Sequence, residues 1–217
     1  MRPFPVNMTT VYAMRSSALL QTAIAHFGQF GFDGASTRSI ASAAGTTMSS
    51  ITYHFGSKEG LYLAAARHIA REIAALEEPA IAAVAARPAS SREEAIESAV
   101  DLLVDFAQIL MRPEASAWAR FIAREQHDPT PAFELLYSGV MKPLADIFIS
   151  LLSQIDPALS ELDQRARTIL LFGQALVLQT SRASVLRILG IQQTEEAAAD
   201  ILLFHLRRNT REILTGH

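Results

Sequence analysis

Wherever glycine, proline or a short polar cluster does not interrupt it, this chain places apolar residues at three- and four-residue steps. No stretch alternates strictly for long enough to make a strand. The pattern makes all-α the expected class. Half of the 217 residues are hydrophobic and 19% are charged, so the chain can bury enough apolar surface to offset its ordering entropy, and disorder is excluded.

The punctuation sets the helices. Residues 14–30 form the first, with Leu20, Ala23, Ile24, Phe27 and Phe30 on one face, and the glycines at 31 and 34 stop it. Thr37 is the expected N-cap of a short helix over 38–44, Gly45 ends that helix, and Thr46 and Thr47 lead into another over 48–55. Ser57 caps a fourth helix ending near residue 78, followed by a fraying end and loop through Pro88. Ser91-Arg92-Glu93-Glu94 reads as a capping box for a helix to 111. Further helices are expected over 113–127, over 131–155 with a kink at Pro143, over 162–189 with a bend near 181–184, and from Thr194 as N-cap to 214. Nine helices result, after an N-terminal arm of a dozen or so residues.

Charge is unevenly shared. Residues 1–70 hold five basic side chains (Arg2, Arg15, Arg38, Lys58, Arg67) against Asp33 and Glu59, net +3; residues 71–217 carry 14 basic against 20 acidic, net −6. A basic head precedes an acidic body. The absence of cysteine excludes thiol catalysis, Cys-ligated zinc and disulfides, and suits a reducing compartment. The opening MRPFPVN lacks the order of a secretion signal and no run of about 18 apolar residues occurs, so the expectation is a cytoplasmic chain with no membrane partner.

The two short helices joined at Gly45 have the dimensions of a helix-turn-helix, in which one helix enters the major groove and its predecessor braces on the backbone. Helical hairpins with a glycine turn are common, so the exposed residues decide. On the second helix these are Thr47, Ser49, Ser50, Thr52, Tyr53 and His54, all small or hydrogen-bonding, with Ile40, Ile51 and Phe55 as apolar anchors. Hydroxyls donate or accept at base edges and phosphates, and Tyr53 adds reach. Lys58, at the start of the fourth helix, would join free amides and the helix dipole in receiving a phosphate. Arg15 and Arg38 stand at helix starts, where phosphate contact and plain solvation look alike.

The segment AGTTMSSITYHFGSKEGLY (44–62), with 27–44 before it, resembles the N-terminal domain of the TetR family of bacterial transcriptional regulators. The similarity covers about residues 15–65 and rests on Gly45, on Tyr53-His54-Phe55 and on Ser57-Lys58-Glu59. It implies a large, ligand-responsive, dimerising C-terminal domain and places Thr47, Ser49, Tyr53, His54 and Lys58 at DNA. Many members carry a basic residue where this chain has Met48, so one phosphate contact is absent or replaced. ARFIAREQHDPTPAFELLYSGVMKPL (119–144) resembles the subgroup typified by the regulator CecR, and names no ligand.

No enzymatic constellation emerges. None of the six histidines has a glutamate three residues before it, which excludes a di-metal carboxylate bundle, and no HExxH, phosphate loop or nucleophile elbow occurs. No cofactor or metal is expected. In the body, Phe106, Trp118, Phe121, Tyr137 and Met141 belong to a stripe of bulky residues that either lines a pocket or fills a core, and Phe172 is a further candidate ligand contact. Arg124, on one face with Arg120 and His127, is a candidate contact for an anionic ligand, and Gln174 a candidate donor. The last two helices are apolar around most of their circumference, which calls for a second copy.

The expected organisation is an arm (1–13), a helix-turn-helix domain (14–60) and a ligand-binding, dimerising domain (61–217). The expected function is a dimeric repressor on a palindromic DNA operator, released by a small molecule. The alternative is a helical small-molecule carrier or scaffold that does not bind DNA; salt-dependent duplex binding separates the two.

Overall fold

Hydroxyl caps and glycine stops cut the chain into α1 (Met8–Gly34), α2 (Thr37–Ala43), α3 (Met48–Phe55), α4 (Lys58–Ala86), α5 (Arg92–Met111), α6 (Ala115–His127), α7 (Pro131–Leu136), α8 (Lys142–Ile155), α9 (Glu161–Thr180), α10 (Arg182–Leu189) and α11 (Glu196–Thr215). The structure is a computed structural model that describes residues 8–193 and 196–216, with side chains from Ser17 onward. Among the described residues every regular element is helical. The first half of the expected arm, 1–7, and Thr194 lie outside them. Residues 8–13, expected in the arm, are the first turns of α1.

Local chemistry explains most departures from the expected boundaries. Ser36, not Thr37, caps α2, its hydroxyl accepting the Ser39 amide at 3.0 Å. Ser91 caps α5 as expected, accepting from the Glu94 amide at 3.1 Å, while the Glu94 carboxylate reaches back to the amide and hydroxyl of Ser90. Helix α4 passes through Pro79 and runs eight residues beyond the expected end. The lost hydrogen bond is offset because Ala80, Ile81 and Val84 beyond it pack on a hydrophobic core. Pro143 produces no simple kink: a π-helical turn, Tyr137–Met141, precedes it, so α7 and α8 form one rod with the proline in the first turn of α8. At Ser181 the chain bends by 80°, dividing one expected helix into α9 and α10 and giving ten rods where nine were expected.

The helices gather into two compact units. The head comprises the described residues of Met1–Arg71 together with Ala117–Tyr137; the body comprises Glu72–Ser116 and Ser138–His217. Helices α6 and α7 therefore belong with the head.

Aromatic rings and buried polar groups hold the head. The Phe27 ring meets Tyr62 edge-on at 4.8 Å, Tyr62 stacks on Phe121 at 4.6 Å, and Phe27 and Phe121 are fully buried. Glu125, only 1% exposed, accepts hydrogen bonds from the Tyr62 hydroxyl, the Thr130 amide and the Thr130 hydroxyl. Burial first, and then the bond to Glu125, raise the Tyr62 phenol above its ordinary range. Arg124 donates to the carbonyl oxygens of Gly28 (2.9 Å) and Gln29 (2.8 Å), close to where Gly31 leaves helical geometry within α1.

Aliphatic packing holds the body. Ala95, Ala99, Leu102, Leu103 and Ala107 of α5 bury against Leu144, Phe148, Leu151 and Leu152 of α8, Leu171 and Ala175 of α9, and Leu206 and Leu214 of α11. At its edge Arg92 donates to the Ile155 and Leu214 carbonyls, Arg211 forks onto Glu97, and Arg207 pairs with Asp101. The rod Pro131–Ile155 is long and apolar enough to cross a membrane, but the apolar face of its α8 segment is part of this core.

Candidate nucleic-acid interface

The α2–α3 turn is made by Gly45, whose φ of 62° suits a residue without Cβ; a methyl there would touch nothing within 4 Å, so backbone conformation and not space selects glycine. The Gly45 amide bonds the Ser42 carbonyl and the Thr46 amide bonds that of Ala41, closing α2. Thr47 then caps α3, its hydroxyl accepting the Ser50 amide at 3.2 Å. Ile40 and Ile51 are fully buried and fix the pair of helices to the head's core; Phe55, the third expected anchor, is half-buried.

With those anchors inside, α3 turns out Thr47, Ser49, Thr52, Tyr53 and His54, with Ser50 half-buried at the margin. Tyr53 is 83% exposed, its ring held edge-on to His54 at 5.0 Å. A large aromatic held out in solvent gains nothing from folding. Met48 is also exposed, at the position where many family members carry a base. Arg38 is exposed on the first turn of α2.

Lys58 is the first residue of α4 and half-buried. Its ammonium donates to the Asp33 carbonyl at 3.4 Å and stands 4.6 Å from the centre of the Phe32 ring. Neighbouring Glu59 is held by the Ser57 hydroxyl and by its own amide, which together lower its carboxyl below the ordinary range; the Ser57 oxygen also accepts the Gly60 amide at 3.1 Å.

The eight expected ligand contacts divide between the units. Trp118, Phe121, Arg124 and Tyr137 are in the head; Phe106, Met141, Phe172 and Gln174 are in the body. Phe121 is core, closed in by Tyr62 and Phe27. Arg124 spends its guanidinium on the end of α1. Trp118 is half-buried, and Tyr137 is exposed with its ring beside Phe133. Phe106 and Phe172 are half-buried and in contact at 5.4 Å, Phe172 also touching Phe148 at 5.1 Å; Met141 and Gln174 are half-buried too. Arg120 and His127 line, with Arg124, Asp33 and Asp128, an open cleft of about 610 Å³ in the head.

Two polar features had no legible signal. The Glu125–Tyr62–Thr130 network joins residues 63 apart in sequence. Glu77, 3% exposed on the inward side of α4, has an Oε1 without a hydrogen-bond partner, and burial pushes its carboxyl up to about 8.

A basic helical head with a glycine-turned helix pair and a hydrogen-bonding outer face defines a helix-turn-helix DNA-binding protein. Comparison with known proteins agrees. Residues 19–65 match the model of bacterial regulatory proteins of the tetR family, and residues 92–217 match the C-terminal domain of the HTH-type transcriptional dual regulator CecR. The chain belongs to the TetR family of transcriptional regulators, and residues 92–217 are a CecR-type C-terminal domain.

It is 35% identical over 140 residues to the HTH-type transcriptional dual regulator CecR of Shigella flexneri, a match covering 63% of this chain and 62% of that protein's length. It is 42% identical over 55 residues to the HTH-type transcriptional regulator RutR of Escherichia coli K12, covering 25% of this chain and 26% of that one. Among solved structures it shares the fold of a TetR-family regulator from Mesorhizobium loti (TM-score 0.63, 16% identity, 94% of this chain and 96% of that one). A second, from Shewanella, has a TM-score of 0.60 at 20% identity and covers 92% and 95%. These relatives are named as transcriptional regulators.

Proposed function

We propose that this protein is a cytoplasmic, ligand-responsive repressor that binds a palindromic DNA operator as a homodimer and is released by a small molecule. The observation that carries the reading is the outer face of α3, where Thr47, Ser49, Thr52, Tyr53 and His54 point outward while Ile40 and Ile51 are buried. In this reading α3 lies in the major groove, with Ser49, Ser50, Thr52, Tyr53 and His54 at base edges. Thr47, Arg38 and Lys58 meet phosphates.

The dimer is supported by apolar surface that the body leaves uncovered. On α9, Leu162, Ile169, Leu170, Leu176 and Val177 face outward while Leu171 and Ala175 face the core; on α11, Ile201, Phe204 and Ile213 do the same. Leu170 is 73% and Phe204 61% exposed. A second copy covering this face would bring two heads to the two halves of a symmetric site.

The effector is a mostly apolar small molecule that contacts the half-buried Phe106, Met141, Phe172 and Gln174 of the body. Helix α4 has residues in both units, as does the rod α7–α8. A coupling of about 1–3 kcal/mol changes affinity roughly 5- to 150-fold. Thermal-shift screening of apolar compounds, followed by titration of the DNA complex with each hit, tests the switch: ligands that stabilise the protein yet leave its operator affinity unchanged remove it from the account.

A further inference from the structure

Lysine is a strongly hydrated point charge on a flexible stem, and a side chain free to roam loses rotamer freedom when a phosphate captures it. Lys58 has neutral partners that can hold it. Its ammonium rests over the face of Phe32, 4.6 Å from the centroid, and donates to the Asp33 carbonyl at 3.4 Å. The Phe32 ring is itself fixed, edge-on to Tyr62 at 5.2 Å and nearly parallel to Phe27 at 6.3 Å, and Phe27 is core.

The choice of partners is informative. A carboxylate would hold the ammonium as firmly but cancel its charge, and among the described residues none forms an ion pair with Lys58. A ring face and a carbonyl dipole are neutral. They orient the cation while leaving it a full positive charge to offer to an anion. The exposed carboxylate nearest in sequence, Glu59, is held first by Ser57 and its own amide, and Lys58 adds only a weaker Coulombic pull with no ion pair.

We propose that Phe32 is a positioning residue for DNA binding: its ring, together with the Asp33 carbonyl, seats the Lys58 ammonium ready for a DNA phosphate. The proposal rests on the reading of Lys58 as a phosphate contact.

The test measures binding of the full chain to a mixed-sequence duplex of about 30 base pairs, by fluorescence anisotropy between about 50 and 200 mM salt, where phosphate contacts dominate and each one lost lowers the salt slope by roughly 0.9. Lys58→Ala should lower the slope by about that amount. Phe32→Leu should weaken binding roughly two- to five-fold and lower the slope in the same direction. In the Lys58→Ala background Phe32→Leu should have no further effect, because the ring then has no cation to seat. Phe32→Tyr, which keeps the ring, should bind as the wild type does.

Should Phe32→Leu unfold the head, fluorination of the Phe32 ring keeps its shape while withdrawing charge from its face, and should weaken binding in the same way. Wild-type binding by Phe32→Leu or by the fluorinated protein, or an equal loss in the presence and absence of Lys58, overturns the seat. An unchanged slope in Lys58→Ala overturns the phosphate reading of Lys58 first, and the seat with it.

Discussion

The head and the body solve opposite surface problems. The head turns hydroxyls and the Tyr53 ring outward on α3; the body leaves leucine, isoleucine and phenylalanine outward on α9 and α11. Both surfaces are costly in isolation, the first because an exposed Tyr53 gains nothing from folding, the second because apolar area remains in water. In the proposed reading each cost is recovered by a different partner. Polar exposed groups at a tight helix turn suit a hydrated, charged groove; a continuous apolar face suits a second copy of itself.

Breaking the body's face should have the largest effect. Leu170→Glu combined with Phe204→Glu should yield a monomer in sedimentation, and should weaken binding to a two-half-site operator by roughly 100-fold or more, because the second head no longer acts at high local concentration. An operator affinity that survives in the monomer would show that the two surfaces are not linked.

Next comes the head's interior. Glu125→Ala leaves the Tyr62 hydroxyl and the Thr130 amide and hydroxyl without their acceptor, and should cost about 2–4 kcal/mol in urea denaturation. The loss should be confined to the transition that also abolishes DNA binding.

The body has a buried polar group of the opposite kind. Unfolded, the Glu77 carboxyl ionises near 4.5; folded, it keeps its proton up to about 8. Between those values the unfolded state binds fewer protons, so stability falls as pH rises, by at most about 1.4 kcal/mol per unit. Glu77→Gln, which cannot ionise but keeps a buried amide, should raise the melting temperature more at pH 8 than at pH 5.5, with a gain of about 1–2 kcal/mol at the higher pH. An equal effect at both values would mean that Glu77 is not a buried acid. The smallest change is expected at the body's edge, where Arg211→Ala breaks an exposed pair with Glu97 worth no more than about 1 kcal/mol and weakened by salt.

How much of this was legible depended on distance along the chain. Helix periods, the Gly45 turn and the caps at Thr47, Ser57 and Ser91 are local, and they stand where the residues place them. The end of α4 was not legible, because Pro79 is a local stop signal and the packing of Ile81 and Val84 that overrides it is tertiary. Phe30 belongs to the apolar period of α1 yet is exposed, next to the break at Gly31. The spacing of Arg124 with Arg120 and His127 makes a basic face, which suits solvent or a salt bridge at least as well as an anion. The actual partners of Arg124 are the Gly28 and Gln29 carbonyls, 96 and 95 residues away in sequence and beside the same break. The stripe of bulky body residues could not be sorted into lining and core from sequence: Phe121 is sealed and Phe106 is half-open, yet both have the same periodicity.

The central claim is that the outer face of α3 reads DNA from a twofold-symmetric pair of heads. It is tested most directly by selecting bound duplexes from a random-sequence pool with the full chain at about physiological salt. The account predicts an enriched sequence of two inverted half-sites centred about one helical turn apart, roughly 10 base pairs or a multiple of it, and its loss with Tyr53→Ala. Recovery of duplexes that bind with a salt dependence but share no sequence, or of none at all, would contradict it.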